Sequence, residues 1–205
     1  MSNYGRGPPG GHHAAPQHHE PPHVGQYESH ESSNVSSVKG TTVKIFSEAS
    51  TEFNLGVNGH EVTIVKANDN DPYQQWIKDE TWSTRAKDSA GFPGFALINR
   101  GSGKALKHPS KEEEKVSLVE YHANSLDEEI LWTVSKDVGH GWHAIRSISN
   151  IHFNLDIDHG NKKYGPVKEG QAVIVFKWKD EENQHWKMET INVTTASSHD
   201  QHHRY

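Results

Sequence analysis

Three tryptophans recur at nearly equal spacing, and this spacing constrains the possible folds more than any other feature of the chain. Trp76, Trp132 and Trp186 stand 56 and 54 residues apart in a chain of 205 residues. Gln74 and Gln184 each stand two residues before the tryptophan that follows them. A repeat of this length indicates a molecule built from three similar units.

Short runs rich in β-branched and aromatic residues divide the chain in the same way. The runs of the first unit are TVKIFSEA, FNLGVN, EVTIVKA and QWIKDE; those of the second are FALINR, KALKHP, VSLVEYH and ILWTVSKD; those of the third are HAIRSIS, HFNLDI, AVIVFKW and HWKMET. Turn residues such as Asn58-Gly59 and His159-Gly160 separate these runs. We therefore predict twelve strands, four in each unit.

The second strand of each unit contains a related triplet. Phe53-Asn54-Leu55 and Phe153-Asn154-Leu155 match, whereas Lys104-Ala105-Leu106 matches loosely. Three units of four strands predict an all-β chain with a β-trefoil fold, in which six strands form a barrel and three hairpins cap it. Repeats of this length also suit propeller blades, but three blades are too few to close a propeller. A β-sandwich with a coincidental tryptophan spacing is the remaining alternative.

The large aliphatic residues are concentrated between residues 43 and 190, which we predict to form the domain. About 150 residues are enough to bury a core. Residues 1–42 consist mainly of Gly, Pro, Ser, Gln and His, and residues 191–205 are similarly polar. Because such segments bury too little apolar surface to offset the entropy of ordering them, we expect two disordered tails.

Charge and cysteine content exclude several classes of function. The net charge is −6 and no basic cluster is visible, which argues against nucleic acid as a partner. Without cysteine the chain can form neither a disulfide nor a thiolate nucleophile, as suits a reducing compartment. No stretch is apolar and long enough to span a membrane, and the N-terminus lacks the apolar region of a secretory signal. We expect a nuclear or cytoplasmic protein.

The Gln-x-Trp repeats resemble those of the ricin-B-type lectins, and longer runs are similar to the Euonymus-type lectin domain of plants. The runs that carry this second resemblance are STRAKD from Ser83, GFPGFALIN from Gly91, LWT from Leu131, DVG from Asp137 and NQHWK from Asn183. Together they span roughly the whole predicted domain. The resemblance implies a β-trefoil, glycan binding without catalysis, an address in nucleus and cytoplasm, and often a role in stress responses.

The third unit contains the groups that a sugar site needs, namely an aromatic face and convergent polar groups. Asp156 follows the Phe-Asn-Leu triplet, Trp178 ends the next strand, and Asn183 can both donate and accept hydrogen bonds. We expect Gln184 to hold Asp156 or the loop in place. The resemblance to ricin-type sites implies the same roles. Phe176 stands where many such lectins have a polar residue, which leaves the sugar preference open.

The first two units lack this combination, so we predict one working site. The residues at the positions of Asp156, Trp178 and Asn183 are Gly56, Asn68 and Tyr73 in the first unit and Lys107, Asn124 and Glu129 in the second. Two or three hydrogen bonds and one stacked face give a dissociation constant of roughly millimolar for a monosaccharide. We expect galactose- or mannose-containing glycans as partners, weak or no agglutination by the monomer, and cross-linking only through self-association.

Catalysis is not expected. The chain contains no Gly-x-Ser-x-Gly, phosphate-binding loop or His-Glu-x-x-His motif. We expect Asp156 and Asp158 to point to opposite faces of their strand, where they could not flank one glycosidic bond. No cofactor or metal site is predicted.

Two other functions stay open. One is a protein-interaction trefoil with a vestigial sugar site. The other is a metal or pH response of the tails, because imidazoles bind divalent metals and gain charge in mild acid. The tail histidines are His12, His13, His18, His19, His23, His199, His202 and His203.

Overall fold

The computed structural model describes residues 37–192, and the regular structure in this part of the chain consists of strands and a few short 3-10 turns. The strands are β1 (Thr41–Ser47), β2 (Phe53–Asn58), β3 (Glu61–Lys66), β4 (Trp76–Asp79), β5 (Phe95–Asn99), β6 (Ala105–Lys107), β7 (Ser117–Val119), β8 (Leu131–Val134), β9 (Ile145–Ser147), β10 (Asn154–Ile157), β11 (Val173–Phe176) and β12 (Trp186–Thr190). Each corresponds to one predicted run, in the predicted order. No helix in the described part of the chain has both the length and the apolar content that crossing a bilayer requires.

Six of the strands form a barrel. Strand β1 pairs with β4 and β12, β4 pairs with β5, β5 with β8, and β8 with β9, all antiparallel. The last step around the barrel is a bridge between His143 and Trp186, with backbone hydrogen bonds of 3.0 and 2.8 Å. The barrel therefore consists of the first and last strand of each unit.

The other six strands form three hairpins, β2–β3, β6–β7 and β10–β11. The β2–β3 hairpin turns at Asn58-Gly59, where Gly59 has a φ of +63° that a glycine adopts without strain. The β10–β11 hairpin has a much longer connection, residues 158–172. This long loop gives the third unit a surface that the first lacks.

The repeated tryptophans form the core, as predicted. All three indoles are buried, and each Nε1–H donates a 2.9 Å hydrogen bond to the carbonyl of the leucine that ends the triplet in its own unit. The pairs are Trp76–Leu55, Trp132–Leu106 and Trp186–Leu155. This threefold contact confirms that Lys104-Ala105-Leu106 is the counterpart of Phe-Asn-Leu in the second unit.

The first strand begins earlier than the predicted domain boundary at residue 43. Thr41 and Thr42 lie in β1, where they pair with Lys78 and Ile77 of β4. The polar residues before Val43 gave no indication of this, because backbone pairing with β4 holds the first residues of β1 without the help of apolar side chains. Residues 1–36 and 193–205, which hold most of both predicted tails and all their clustered histidines, lie outside the described residues.

Candidate functional site

The β10–β11 hairpin presents alternate residues to two sides. Leu155 and Val175, and likewise Ile157 and Val173, are register pairs that face the core. Their neighbours in the strands must face the other way, because successive side chains alternate. Asn154, Asp156, Ile174 and Phe176 therefore share the outward face of the hairpin.

Asp156 is held by two amide side chains from the turn that precedes β12. Its Oδ1 accepts a hydrogen bond of 2.9 Å from Asn183 Nδ2, and its Oδ2 accepts one of 2.8 Å from Gln184 Nε2. The donors sit on a 3-10 turn, Glu182–Gln184, that packs against β10. The structure thus brings together three of the four residues that the sequence analysis selected.

Gln184 is fully buried and makes two further bonds to the segment that follows β11. Its Nε2 also donates to the carbonyl of Lys177 at 2.8 Å, and its Oε1 accepts from the backbone N–H of Lys179 at 2.8 Å. In the first unit Gln74 makes the same kind of bonds, to the carbonyl of Lys66 and from the N–H of Asn68. The glutamine before each of these tryptophans is therefore a positioning residue.

Asn183 has one group that the protein leaves unpaired. Its Nδ2 donates to Asp156 and also to the carbonyl of Ile157 at 3.1 Å. Its Oδ1 is buried and has no hydrogen-bond partner among the described residues. An unpaired buried acceptor costs about 1–3 kcal/mol, so a ligand that donates to it would recover that energy.

Burial raises the pKa of the Asp156 carboxyl from 3.8 to about 7. The hydrogen bonds from Gln184 and Asn183 oppose this rise, whereas the nearby carboxyls of Asp158 and Glu181 add to it. The carboxyl therefore changes charge near neutral pH, and its charged form depends on the two amides that hold it.

A cavity of about 420 Å³ opens beside Asp156 and Asn183; we call it the Asp156 cavity. Its lining includes four carboxyl groups but only one lysine, Lys179. The carboxyl groups belong to Glu113, Asp156, Asp158 and Glu181. No group of three or more His, Asp or Glu side chains within residues 37–192 is arranged to hold a metal ion.

Besides His159, two aromatic side chains line the Asp156 cavity. Phe176 was noted in the sequence at a site position, whereas Tyr164 was not predicted to belong to the site. Tyr164 is 52% exposed, on a 3-10 turn that Asn161 caps, and its ring meets that of His159 edge-on at 4.4 Å. Phe176 lies on β11, where Lys179 Nζ sits 4.2 Å from its ring centroid. The only sequence signal for Tyr164 was an aromatic residue in a polar turn, because its approach to Asp156 depends on how the long loop folds.

Trp178 does not line the Asp156 cavity, contrary to the expectation that it forms one pocket with Asp156 and Asn183. Its ring stacks on His185, with centroids 5.5 Å apart, and borders a different cavity. Strand β11 ends at Phe176, so strand alternation no longer sets the direction of residue 178. The bonds of Gln184 to Lys177 and Lys179 set it instead. The indole is nevertheless open, with 39% of its surface exposed.

The expectation that Asp156 and Asp158 point to opposite faces is wrong. Residues two apart in a strand lie on the same face. The N–H of Asp158 bonds to the carbonyl of Ala172 at 3.0 Å, which extends the pairing beyond the end of β10. Both carboxyls consequently line the Asp156 cavity.

The equivalent positions in the other units hold different groups. In the second unit Lys107 forms an ion pair with Glu129. In the first, a Cβ at Gly56 would lie 2.4 Å from a methyl group of Val65, so no longer side chain fits without displacement. Neither position offers a carboxylate with an amide beside it.

Comparison with known proteins gives the family. No family model matches the chain. The ricin B-like lectin R40G3 of Oryza sativa subsp. japonica is 41% identical over 148 residues, which are 72% of this chain and 72% of that protein. The chain belongs to the ricin B-like lectin family. The ricin B-like lectin EULS3 of Arabidopsis thaliana, a Euonymus-type lectin, is 40% identical over 147 residues, and the match spans 46% of its length.

Solved structures agree with the fold of this ricin B-like chain. The designed threefold symmetric protein ThreeFoil superimposes with a TM-score of 0.57 and 18% identity, covering 73% of this chain and 99% of its own. The ricin B-like lectin of Macrolepiota procera in complex with lactose superimposes with a TM-score of 0.55 and 18% identity, covering 75% of this chain and 97% of its own. At these identities the likeness shows the fold alone, and it confirms the β-trefoil.

Proposed function

We propose that this ricin B-like chain is a carbohydrate-binding lectin that holds one sugar residue in the Asp156 cavity. The observation that carries the proposal is the buried Oδ1 of Asn183, which lies beside the carboxyl of Asp156 and accepts no hydrogen bond from any described residue. Sugar hydroxyls both donate and accept, so one hydroxyl could donate to this oxygen while a second donates to Asp156. Membership of the lectin family supports the same conclusion.

Under this proposal, the four residues selected from the sequence have different roles. Asp156 and Asn183 contact the sugar, and Gln184 positions Asp156. The ring of Tyr164 offers the aromatic face for the apolar side of the sugar, because it is more exposed than Phe176. The nearest lysine Nζ also lies farther from its centroid, at 5.2 Å against 4.2 Å. Trp178 lies outside this cavity.

One such site gives weak binding. Two or three hydrogen bonds and one stacked ring correspond to a dissociation constant of roughly millimolar. We propose galactose- or mannose-containing glycans as ligands and self-association as the route to higher avidity. A nuclear and cytoplasmic location and a part in stress responses complete the proposal.

Glycoside hydrolysis is a second candidate, since Asp156 has a raised pKa and shares its cavity with Asp158. Both oxygens of Asp156, however, accept hydrogen bonds from amide groups. These bonds stabilise the charged carboxylate and weaken when Asp156 is protonated, which favours binding by the carboxylate over its use as a general acid. An assay for new reducing ends after prolonged incubation with glycans tests this, and none are expected.

A glycan array with the full chain and two variants tests the lectin proposal. Asp156→Asn keeps the size of the side chain but removes the carboxylate. Glu129→Gln changes the counterpart of Asn183 in the second unit and serves as the matched control. We expect binding by the unaltered protein and by Glu129→Gln, and loss of binding by Asp156→Asn.

Two other results of the glycan array would indicate a different site or a different function. Equal binding by all three proteins would move the site away from Asp156. No binding by any of them would favour the protein-interaction trefoil with a vestigial sugar site.

A further inference from the structure

A second cavity, of about 450 Å³, lies beside the exposed indole of Trp178; we call it the Trp178 cavity. Its walls come from the segments that follow β8 and β9, from Ala144 and Arg146 at β9 itself, from Phe92 before β5, and from Asn154 on β10. Apolar contributions to the lining come from Phe92, Val138, Ala144, Ile151 and Trp178. Apolar walls with a few polar groups are typical of sites for small ligands.

The indole at the edge of this cavity is held in place from behind. Its ring lies nearly parallel to that of His185, at an interplanar angle of 28°. The imidazole is fixed in turn, because Nδ1 lies 2.6 Å from a carboxyl oxygen of Glu48 and Nε2 lies 3.1 Å from one of Asp180. An aromatic face that is both open and fixed can stack on a ligand at little entropic cost.

Arg146 supplies an unused donor in the same lining. Its Nη2 pairs with the buried carboxylate of Asp88 at 2.7 Å, and its guanidinium lies 5.1 Å from the ring of Phe92. Its Nε–H is buried and has no hydrogen-bond partner within residues 37–192. A ligand oxygen could accept from it.

The charges around this cavity balance. Arg146 is paired with Asp88, and Lys136 and Asp137 both line the wall. The carboxylate of Asp137 already accepts from the N–H groups of Gly139 and Gly141. A neutral ligand with an apolar face and an acceptor oxygen fits this chemistry better than a charged one.

The two cavities are neighbours on one face of the β10–β11 hairpin. Asn154 lines the Trp178 cavity, and Phe176, its direct register partner, lines the Asp156 cavity. Asp156 follows two residues along the same face, a step of about 7 Å in a strand. One ligand that extends along this face would contact both cavities.

We propose that the Trp178 cavity binds a further neutral sugar residue of the glycan whose first residue occupies the Asp156 cavity. Trp178 stacks on its apolar face and Arg146 Nε donates to one of its oxygens. The inference rests on the proposed function, and it makes this chain selective for oligosaccharides over monosaccharides. A second stacked ring and one hydrogen bond should strengthen binding roughly tenfold or more.

Calorimetry on the full chain tests this with galactose, mannose, galactotriose and mannotriose. The variants are Asp156→Asn, Trp178→Ala and, as a matched control, Tyr73→Ala, which removes an aromatic residue of similar exposure from the first unit. Thermal unfolding of each variant checks that the fold is kept. We expect Trp178→Ala to bind the monosaccharide normally and to lose the roughly tenfold advantage of the trisaccharide. Asp156→Asn should lose both.

The other possible results of this experiment refute different parts of the proposal. If Trp178→Ala weakens monosaccharide and trisaccharide equally, the indole belongs to the first site and the second subsite is refuted. If it changes neither, or if the unaltered protein prefers no trisaccharide, the subsite is also refuted while the proposed function stands. Absence of all binding by the unaltered protein overturns both proposals.

Discussion

Asn183 donates its side-chain N–H to Asp156 across 2.9 Å, while its side-chain oxygen Oδ1 is buried and has no hydrogen-bond partner within residues 37–192. The bond fixes the two side chains relative to each other, and it leaves Asn183 with a buried acceptor that no described residue satisfies. The unsatisfied acceptor destabilises the free protein, and a ligand that donates a hydrogen bond to it removes that cost.

Glycan affinity should depend on pH through Asp156. Because the pKa of this carboxyl is about 7, the charged form that accepts sugar hydroxyls declines as the pH falls through neutrality. We expect roughly tenfold weaker binding at pH 6 than at pH 8, measured by calorimetry. His159 lines the same cavity, so His159→Gln is the control and should keep the pH dependence, whereas a flat profile in the unaltered protein would contradict the role of Asp156.

The contribution of Asp156 to folding stability should fall as the pH rises, whereas glycan affinity should increase. The folded-state pKa of Asp156 is raised above the ordinary value of 3.8, so its contribution to stability is fully present below about pH 4 and is lost as the pH rises towards 7. The free energy of unfolding of Asp156→Asn, relative to that of the unaltered protein, should therefore rise by roughly 4 kcal/mol between pH 4 and pH 8. Urea denaturation at the two pH values measures this difference. An unchanged difference would show that the carboxyl is better solvated than its burial implies.

The charge of the Asp156 cavity should select among sugars. Four carboxyl groups against one lysine repel an anionic ligand, so galacturonic acid should bind more weakly than galactose, and galactosamine more strongly. Glu113→Gln removes one carboxyl that touches neither Asp156 nor Asn183 in any described hydrogen bond, and it should narrow both differences. Competition binding at low and high salt checks this prediction, because salt screening should also reduce the differences in affinity between galactose and the two charged sugars. Equal affinity for the three sugars at low salt would place the ligand elsewhere.

The repeated indole–carbonyl contacts should contribute similar amounts to stability. Trp132→Phe leaves the carbonyl of Leu106 without its 2.9 Å donor in the core, which should lower the free energy of unfolding by about 1–3 kcal/mol. Trp76→Phe and Trp186→Phe should lose comparable amounts, since their contacts have the same length. Trp178→Phe, at an exposed position, is the control and should change stability little. A much smaller loss at one core position would show that its unit is not equivalent to the others.

Local signals in the sequence were sufficient for the strands and their order. The periodic tryptophans and the turn residues predicted all twelve strands, and the pairing of Trp132 with Leu106 confirmed even the loosely matching second unit. The same kind of signal selected Asp156, Asn183 and Gln184, because their positions relative to Trp186 lie within regular structure or next to it. The domain boundary was placed at residue 43, two residues after β1 begins, since the first residues of β1 are threonines held by pairing with β4.

The repeat, the barrel, the hairpins and the two amide residues beside Asp156 could all be predicted from local patterns of residues. The aromatic rings that border that carboxyl could not. Trp178 lies beyond the end of β11 and Tyr164 within a long loop, where strand alternation no longer sets the direction of a side chain. Hydrogen bonds from distant residues, such as those of Gln184 to Lys177 and Lys179, set it instead. Such bonds depend on the whole chain having folded, so no local pattern contains them.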